Sequence, residues 1–124
     1  MKAKVLIMED NENIALVERI CLEAAGYEVL VAADGIQGLE TALHDLPQLI
    51  LADILLPKMN GYLVLEALQN NPATRDIPVI VTSAKAQVDD LKKAHQYPIR
   101  QYLIKPFAPE ELLAGVAEVL KEMG

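Results

Sequence analysis

Cysteine occurs once in these 124 residues, at Cys21. A single thiol can close no internal disulfide and cannot build a cysteine metal cluster, so a reducing cytoplasm is the expected home. Long apolar runs are missing as well. None reaches the length of about 20 residues that a membrane helix needs. The opening stretch, MKAKVLIMED, meets its acids too early for a secretion signal. Positive charge is scarce: 11 Lys and Arg stand against 18 Asp and Glu, a formal charge of −7. That balance argues against gripping nucleic acid through its phosphates. Neither a G-x-G-x-x-G turn nor a Walker loop occurs, so nucleotide binding has no support. No repeat, low-complexity tract or interdomain linker interrupts the chain. What remains is 52% hydrophobic, long enough to bury a core, and residues 1–124 read as one domain.

Short apolar runs alternate with amphipathic stretches. Strands are predicted at Lys4–Met8, Tyr27–Ala32, Leu49–Ala52, within IPVIVTS up to Ser83, and at Arg100–Ile104. Helices are predicted at Asn13–Ala25, Gly35–His44, Tyr62–Asn70, Val88–Gln96 (weakly) and Pro109–Glu122. Gly26 supplies a stop after the first helix, where Ile14, Val17, Cys21 and Ala24 share one face. In the second, Leu39 and Leu43 lie a turn apart. Pro109 and the acids Glu110 and Glu111 suit the start of the last helix. Five strand-then-helix units with continuously apolar strands mean an α/β fold: a parallel sheet covered on both faces. Right-handed crossovers then bring every strand's C-terminal end to one edge, where such sheets bind their ligands.

That edge explains an oddity in LILADILLPKMNG, residues 49–61. Asp53 interrupts an apolar run, yet it falls at the end of a strand and points into a shared polar site. Glu9 and Asp10 follow the first strand, Ser83 ends the fourth and Lys105 follows the fifth, all at the same edge. Two carboxylates about 4 Å apart repel by roughly 4 kcal/mol at an effective dielectric near 20. Lys105 alone cannot balance three of them. A hard divalent cation with oxygen ligands can, and Mg²⁺ suits a site of few carboxylates, a carbonyl, waters and a phosphoryl oxygen. With Lys105 and the Ser83 hydroxyl, such a site could stabilise a phosphoryl group in transfer. Asp53 is the carboxylate best placed as nucleophile.

These residues resemble the receiver domains of two-component response regulators. The resemblance rests on Glu9-Asp10, on DILLPKMNG with Asp53, Pro57 and Gly61, on PVIVTSA with Ser83 and Ala84, and on YLIKPF with Tyr102, Lys105, Pro106 and Phe107. It covers essentially the whole chain in order. It implies a CheY-like, flavodoxin-like doubly wound (βα)5 fold with strand order 2-1-3-4-5. It further implies that Asp53 accepts a phosphoryl group from a phosphohistidine of a sensor histidine kinase or histidine phosphotransfer protein. Asp10, Asp53 and the Leu55 backbone carbonyl would ligate Mg²⁺, with Glu9 acting through water. Lys105 would hold a phosphoryl oxygen, across a cis Lys105–Pro106 bond. Ser83 and Tyr102 would be the switch residues, coupling the site to the surface of helix four, strand five and helix five. A phosphorylation-dependent homodimer and an unknown downstream protein target belong to the same set of expectations. The protein would catalyse its own phosphorylation and dephosphorylation yet act as a signalling protein rather than an enzyme. It could be a lone messenger, a relay intermediate or a module of a longer regulator.

Some positions depart from the family's pattern. Pro98 and Ile99, in HQYPIRQY, stand where receivers carry a Gly-Ala pair. Proline fixes φ near −65° and cannot supply the positive φ that glycine gives a helix end. A shortened or irregular fourth helix is therefore expected, with Tyr97 and Ile99 altering the partner surface. The last helix has Ala108 where a Ser or Asp cap would stand. Leu55 and Lys85, two residues beyond Asp53 and Ser83, are expected to shield a phospho-aspartate from water. Three other functions fit less well. A phosphorylation-independent module would not need Asp10, Asp53 and Lys105 together. A flavin carrier would need a Ser/Thr/Gly-rich loop where EDNENI stands. A metal-dependent phosphohydrolase would carry a second Asp at Leu55. His44 and His95 read as surface residues, and Cys21 as inert core.

Overall fold

The computed structural model describes residues 2–85 and 87–123. Strands β1 (Lys4–Met8), β2 (Glu28–Ala32), β3 (Leu49–Asp53), β4 (Val79–Ser83) and β5 (Gln101–Ile104) alternate with five helices. These are α1 (Glu12–Ala24), α2 (Gly35–Asp45), α3 (Gly61–Asn70), α4 (Val88–Ala94) and α5 (Pro109–Met123). All neighbouring strands are parallel, in the order β2-β1-β3-β4-β5. This is the doubly wound fold expected from the sequence.

Side chains alternate between the two sheet faces, and each face has its own core. Leu6, Met8, Ile50, Ala52 and Val81 pack with Ala42 of α2, Val64 and Leu68 of α3 and Ala94 of α4. On the other face Val5, Ile7, Leu49, Leu51 and Ile80 meet Leu22 of α1 and Leu112, Val116 and Val119 of α5. Burying each large side chain contributes about 1.5–3 kcal/mol before entropic costs. That is why the strands read as unbroken apolar runs.

The loops at the C-terminal sheet edge are fixed by short polar caps. Asn11 accepts from the Asn13 and Ile14 N–H groups, Asp34 from Gln37, and Asn60 from Leu63. Each cap satisfies a helix donor that would otherwise be orphaned, worth about 1 kcal/mol. Gly61 allows a close approach behind β3. A Cβ there would lie 2.5 Å from the Ile54 Cα and 2.8 Å from the Asp53 carbonyl oxygen. Its N–H also donates to the Ile54 carbonyl at 2.8 Å.

Several expectations change on the helices. The buried stripe of α1 is Ala15, Glu18 and Leu22, not Ile14, Val17, Cys21 and Ala24. Val17 is 56% exposed, while Ile14 and Cys21 are half-buried. The helix is apolar on more than one side, so two stripes compete, and the one containing a glutamate faces inward. On α2, Leu43 is exposed and the small residues Gly35, Gly38 and Ala42 are the buried ones, Gly35 against Met59 and Val64 and Gly38 against Met8 of β1. Met8 explains that choice, since a Cβ on Gly38 would meet its sulfur at 2.6 Å.

Helix α4 has only seven residues and ends at His95 in right-handed geometry, with φ −76°. Its Gln87 cap makes no side-chain bond. Tyr97 and Ile99 are half-buried: both pack against the core, and Tyr97 stacks on Tyr62 with ring centroids 5.6 Å apart. Helix α5 lacks a side-chain cap at Ala108, but Glu111 reaches back to accept from the Ala108 N–H at 3.2 Å. That is half of a capping box. Both histidines are exposed.

Candidate functional site

The carboxylates of Glu9, Asp10 and Asp53 converge at the ends of β1 and β3, with oxygens within 4.8 Å of one another. Lys105, just past β5, bridges two of them. Its Nζ donates to Asp53 Oδ2 at 2.8 Å and to Glu9 Oε1. The other Asp53 oxygen, Oδ1, accepts from the Leu55 N–H at 2.9 Å. Glu9 and Asp53 are 3% and 6% exposed, whereas Asp10 is open to solvent. The site is thus a buried acidic pair with one accessible carboxylate at its mouth.

Burial dominates at Glu9 and raises its pKa, against the opposing effects of the Lys105 bond and the Asn11 N–H. At Lys105 burial works against the charge, but the bonds from Asp53 and Glu9 outweigh it and hold the pKa above the usual lysine value. One ammonium therefore faces three carboxylates. An all-oxygen donor set with excess negative charge fits a hard divalent cation such as Mg²⁺.

Ser83 is fully buried at the end of β4, and its Oγ accepts from the Lys85 N–H at 3.1 Å. Tyr102 is half-buried on β5, with its hydroxyl donating to the Lys85 carbonyl at 2.7 Å. Both switch candidates thus hold the same residue of the β4–α4 loop. The peptide bond between Lys105 and Pro106 is cis. Leu55 is 51% exposed and Lys85 is exposed, so both stand at the rim of the site.

The β3–α3 loop is tied to the start of α2. The Gly35 N–H donates to the Pro57 carbonyl at 3.4 Å, and Lys58, at φ 65°, places Nζ 3.4 Å from Asp34 Oδ2. The Gln37 N–H, more than Lys58, keeps the Asp34 carboxyl below its usual pKa.

One buried acid of this region was not among the sequence candidates. Glu18 is 4% exposed, and its Oε2 has no hydrogen-bond partner among the described residues. Burial first, and then the charge of Glu9, push its pKa up to about 7. The available signal was an acid in the middle of a second helical stripe, Ala15-Glu18-Leu22.

A doubly wound parallel sheet with an acidic cluster and a lysine at its C-terminal edge defines a class of signalling domain. The model of the response regulator receiver domain matches residues 5–117, and the chain belongs to that family of two-component signalling proteins. It is 39% identical over 118 residues to the DNA-binding dual master transcriptional regulator RpaA of Synechocystis, covering 95% of this chain and 49% of that protein. It is 34% identical over 113 residues to Protein PilG of Pseudomonas aeruginosa, covering 91% of this chain and 84% of that one. Among solved structures, the chemotaxis response regulator CheY4 of Vibrio cholerae superposes with a TM-score of 0.90 at 28% identity, covering 96% and 99% of the two chains. The chain thus spans about half the length of RpaA but most of PilG and CheY4. Among the described residues, no helix is long and apolar enough to cross a membrane.

Proposed function

We propose that this receiver accepts a phosphoryl group on Asp53 and signals through the surface of α4, β5 and α5. The observation that carries the reading is Lys105 bonded to Asp53 within the cluster of Glu9 and Asp10. A carboxylate oxygen of Asp53 attacks phosphorus as the bond to the donor's imidazole nitrogen breaks, and the imidazole leaves with the electron pair of that bond. Lys105 is within reach to hold one phosphoryl oxygen, and the Ser83 hydroxyl, released from Lys85, to donate to another. Asp10, Asp53 and the Leu55 carbonyl would hold Mg²⁺ and Glu9 would act through water. The ion would offset the carboxylate repulsion and the charge of the incoming group.

Lys85 links the chemistry to the response. Its N–H is bonded to Ser83 and its carbonyl to Tyr102, so a move of Ser83 toward a phosphoryl group frees the loop that Tyr102 holds. Tyr102 then turns inward and the neighbouring α4–β5–α5 face changes. Phosphodonors would be a sensor histidine kinase or a histidine phosphotransfer protein, in the cytoplasm. The response would be a protein contact, a homodimer among the options, with no direct grip on nucleic acid at a net charge of −7.

Intact mass after incubation with acetyl phosphate tests the reading. A gain of one phosphoryl group that requires Mg²⁺ and disappears in Asp53→Asn is expected. No gain, with Mg²⁺ binding shown separately, would favour a phosphorylation-independent module. Leu55 and Lys85 stand at the rim, where they would shield the phospho-aspartate from water. The phospho-form of Leu55→Asn/Lys85→Glu should therefore decay several-fold faster, read by the same mass assay over time. An unchanged lifetime would remove the shielding role.

A further inference from the structure

Exposed apolar residues also gather on α2 and α3. Ile36 and Leu43 of α2 are each 45% exposed, and Leu63 of α3 is 51% exposed. Helical geometry shows which way they face. Ile36, Leu39 and Leu43 each follow a buried residue, Gly35, Gly38 or Ala42, by one position. They are therefore turned about 100° to one flank of α2. On α3, Tyr62 follows the buried Gly61 in the same sense, and it meets Lys93 and Tyr97 on the α4 side. The two helices run in the same direction, so the matching flank of α2 faces α3. Leu63 and Ala67 precede the buried Val64 and Leu68 by one position and turn the opposite way, toward α2. An apolar trough thus runs between the helices, with Ile36 and Leu43 about 10 Å apart along one wall.

Negative charge borders this trough on both sides. Glu40 stands two positions from both Gly38 and Ala42, and Glu66 two from both Val64 and Leu68. Each acid therefore sits on the outward crest of its helix, and both are exposed. Neither is in an ion pair among the described residues. Lys58, where the two helices begin, is taken up by Asp34. We propose that the α2–α3 trough binds an amphipathic helix of a partner protein, whose apolar ridge is flanked on both sides by Lys or Arg. Two turns of such a helix match the span from Ile36 to Leu43, and its i, i+3 and i+7 positions supply the ridge. Basic residues beside the ridge meet Glu40 on one crest and Glu66 on the other. A second copy of this chain suits the trough poorly, because a symmetric contact sets acidic crests against acidic crests. This surface is separate from the α4–β5–α5 face, and binding there asks for no phosphoryl group on Asp53.

The test is titration of the protein with stapled helical peptides at about 0.15 M salt, followed by methyl NMR signals. One peptide carries leucines at i, i+3 and i+7 with lysines beside them, and its twin has glutamates in place of the lysines. Shifts should centre on Ile36, Leu43 and Leu63, with Leu16, Val17 and Ile20 of α1 unmoved. The basic peptide should bind roughly tenfold tighter than the acidic one, since the crest acids attract one and repel the other. Glu40→Gln/Glu66→Gln should cut that preference to about twofold, the remainder coming from the net charge. Leu43→Ser should weaken both peptides several-fold. No saturable shift, shifts centred on α1, equal binding of the twins, or an undiminished preference in the glutamine variant would overturn the proposal. So would a Leu43→Ser variant that binds as well as the wild type. Methyl shifts that depend on protein concentration without peptide would assign the trough to a second copy instead.

Discussion

The chain from Leu49 to Gly61 and the chain from Gln87 to Gln101 border the same edge of the sheet but are held in different ways. In the first, all five residues of β3 are buried, and both neighbours pair with it. The loop beyond is fixed by backbone bonds, from Ile54 to Thr82 and from Gly61 to Ile54. In the second, α4 has seven residues and no side-chain cap, and only Ala94 is buried. It is held largely by side chains: the Tyr62–Tyr97 stack, and Lys93 with its Nζ 4.3 Å from the Tyr62 ring centroid. The contrast is between a rigid frame for chemistry and a segment with little of its own stability. Segments with few buried contacts open at lower free energy than a central strand, which suits the second to respond and the first to stay still.

The frame around β3 is most vulnerable at Lys105. Lys105→Ala leaves Glu9 and Asp53 buried without their shared cation. Unpairing a buried charge costs about 3 kcal/mol. We expect a urea midpoint lowered accordingly at neutral pH without divalent ions, and recovered when Mg²⁺ is added. A midpoint that stays put would mean that the acidic cluster is solvated well enough to need no counter-charge.

A second test separates the buried acid of α1 from the rest of the frame. Below pH 4.5 Glu18 is protonated in both folded and unfolded chains and costs nothing. As pH rises toward about 7, the unfolded carboxyl ionises while the folded one resists, so stability falls. Above that point the loss is constant, about 3 kcal/mol for this difference in pKa. Glu9, also raised, shifts stability in the same direction. The difference between wild type and Glu18→Gln isolates the first group. Thermal unfolding from pH 4 to 9 should show the variant gaining on the wild type across this window. Parallel curves would mean that Glu18 finds solvent.

Tyr97→Ala should have a smaller, more local effect. Losing the stacked ring costs about 1 kcal/mol beyond its burial. Amide hydrogen exchange should speed up across residues 88–96 far more than across 49–54. Equal acceleration in both would show that α4 and β3 unfold as one unit and that the contrast drawn here is false.

Much of this fold was legible in the sequence because apolar runs and turn residues are local signals. Continuous runs on β1, β3 and β4 mark strands covered on both faces, and the alternation with helices forces a parallel sheet. A carboxylate at the end of such a run, at Asp53, has few explanations other than a shared polar site. Pro57 and Gly61 mark the loop that shapes it, while the caps at Asn11, Asp34 and Asn60 emerged only with the folded helices. The face that α1 would bury was not legible. Its apolar residues surround most of the helix, and periodicity cannot rank two stripes when both satisfy it. Packing chose the stripe with Glu18, which seats Leu22 in the core beside β1 and β3, and so left a buried acid without a partner among the described residues.

The same limit applies near Pro98. Proline ruled out a left-handed helix end, which chain geometry alone dictates. That Tyr97 folds back onto Tyr62 depends on how far α3 lies from the end of α4. Sequence by itself determined the element order, the edge at which the polar residues gather and the residue types available there. Tertiary structure decided which of those residues touch and which charges are left without partners. Distances between segments far apart in the chain exist only once the sheet and helices have packed.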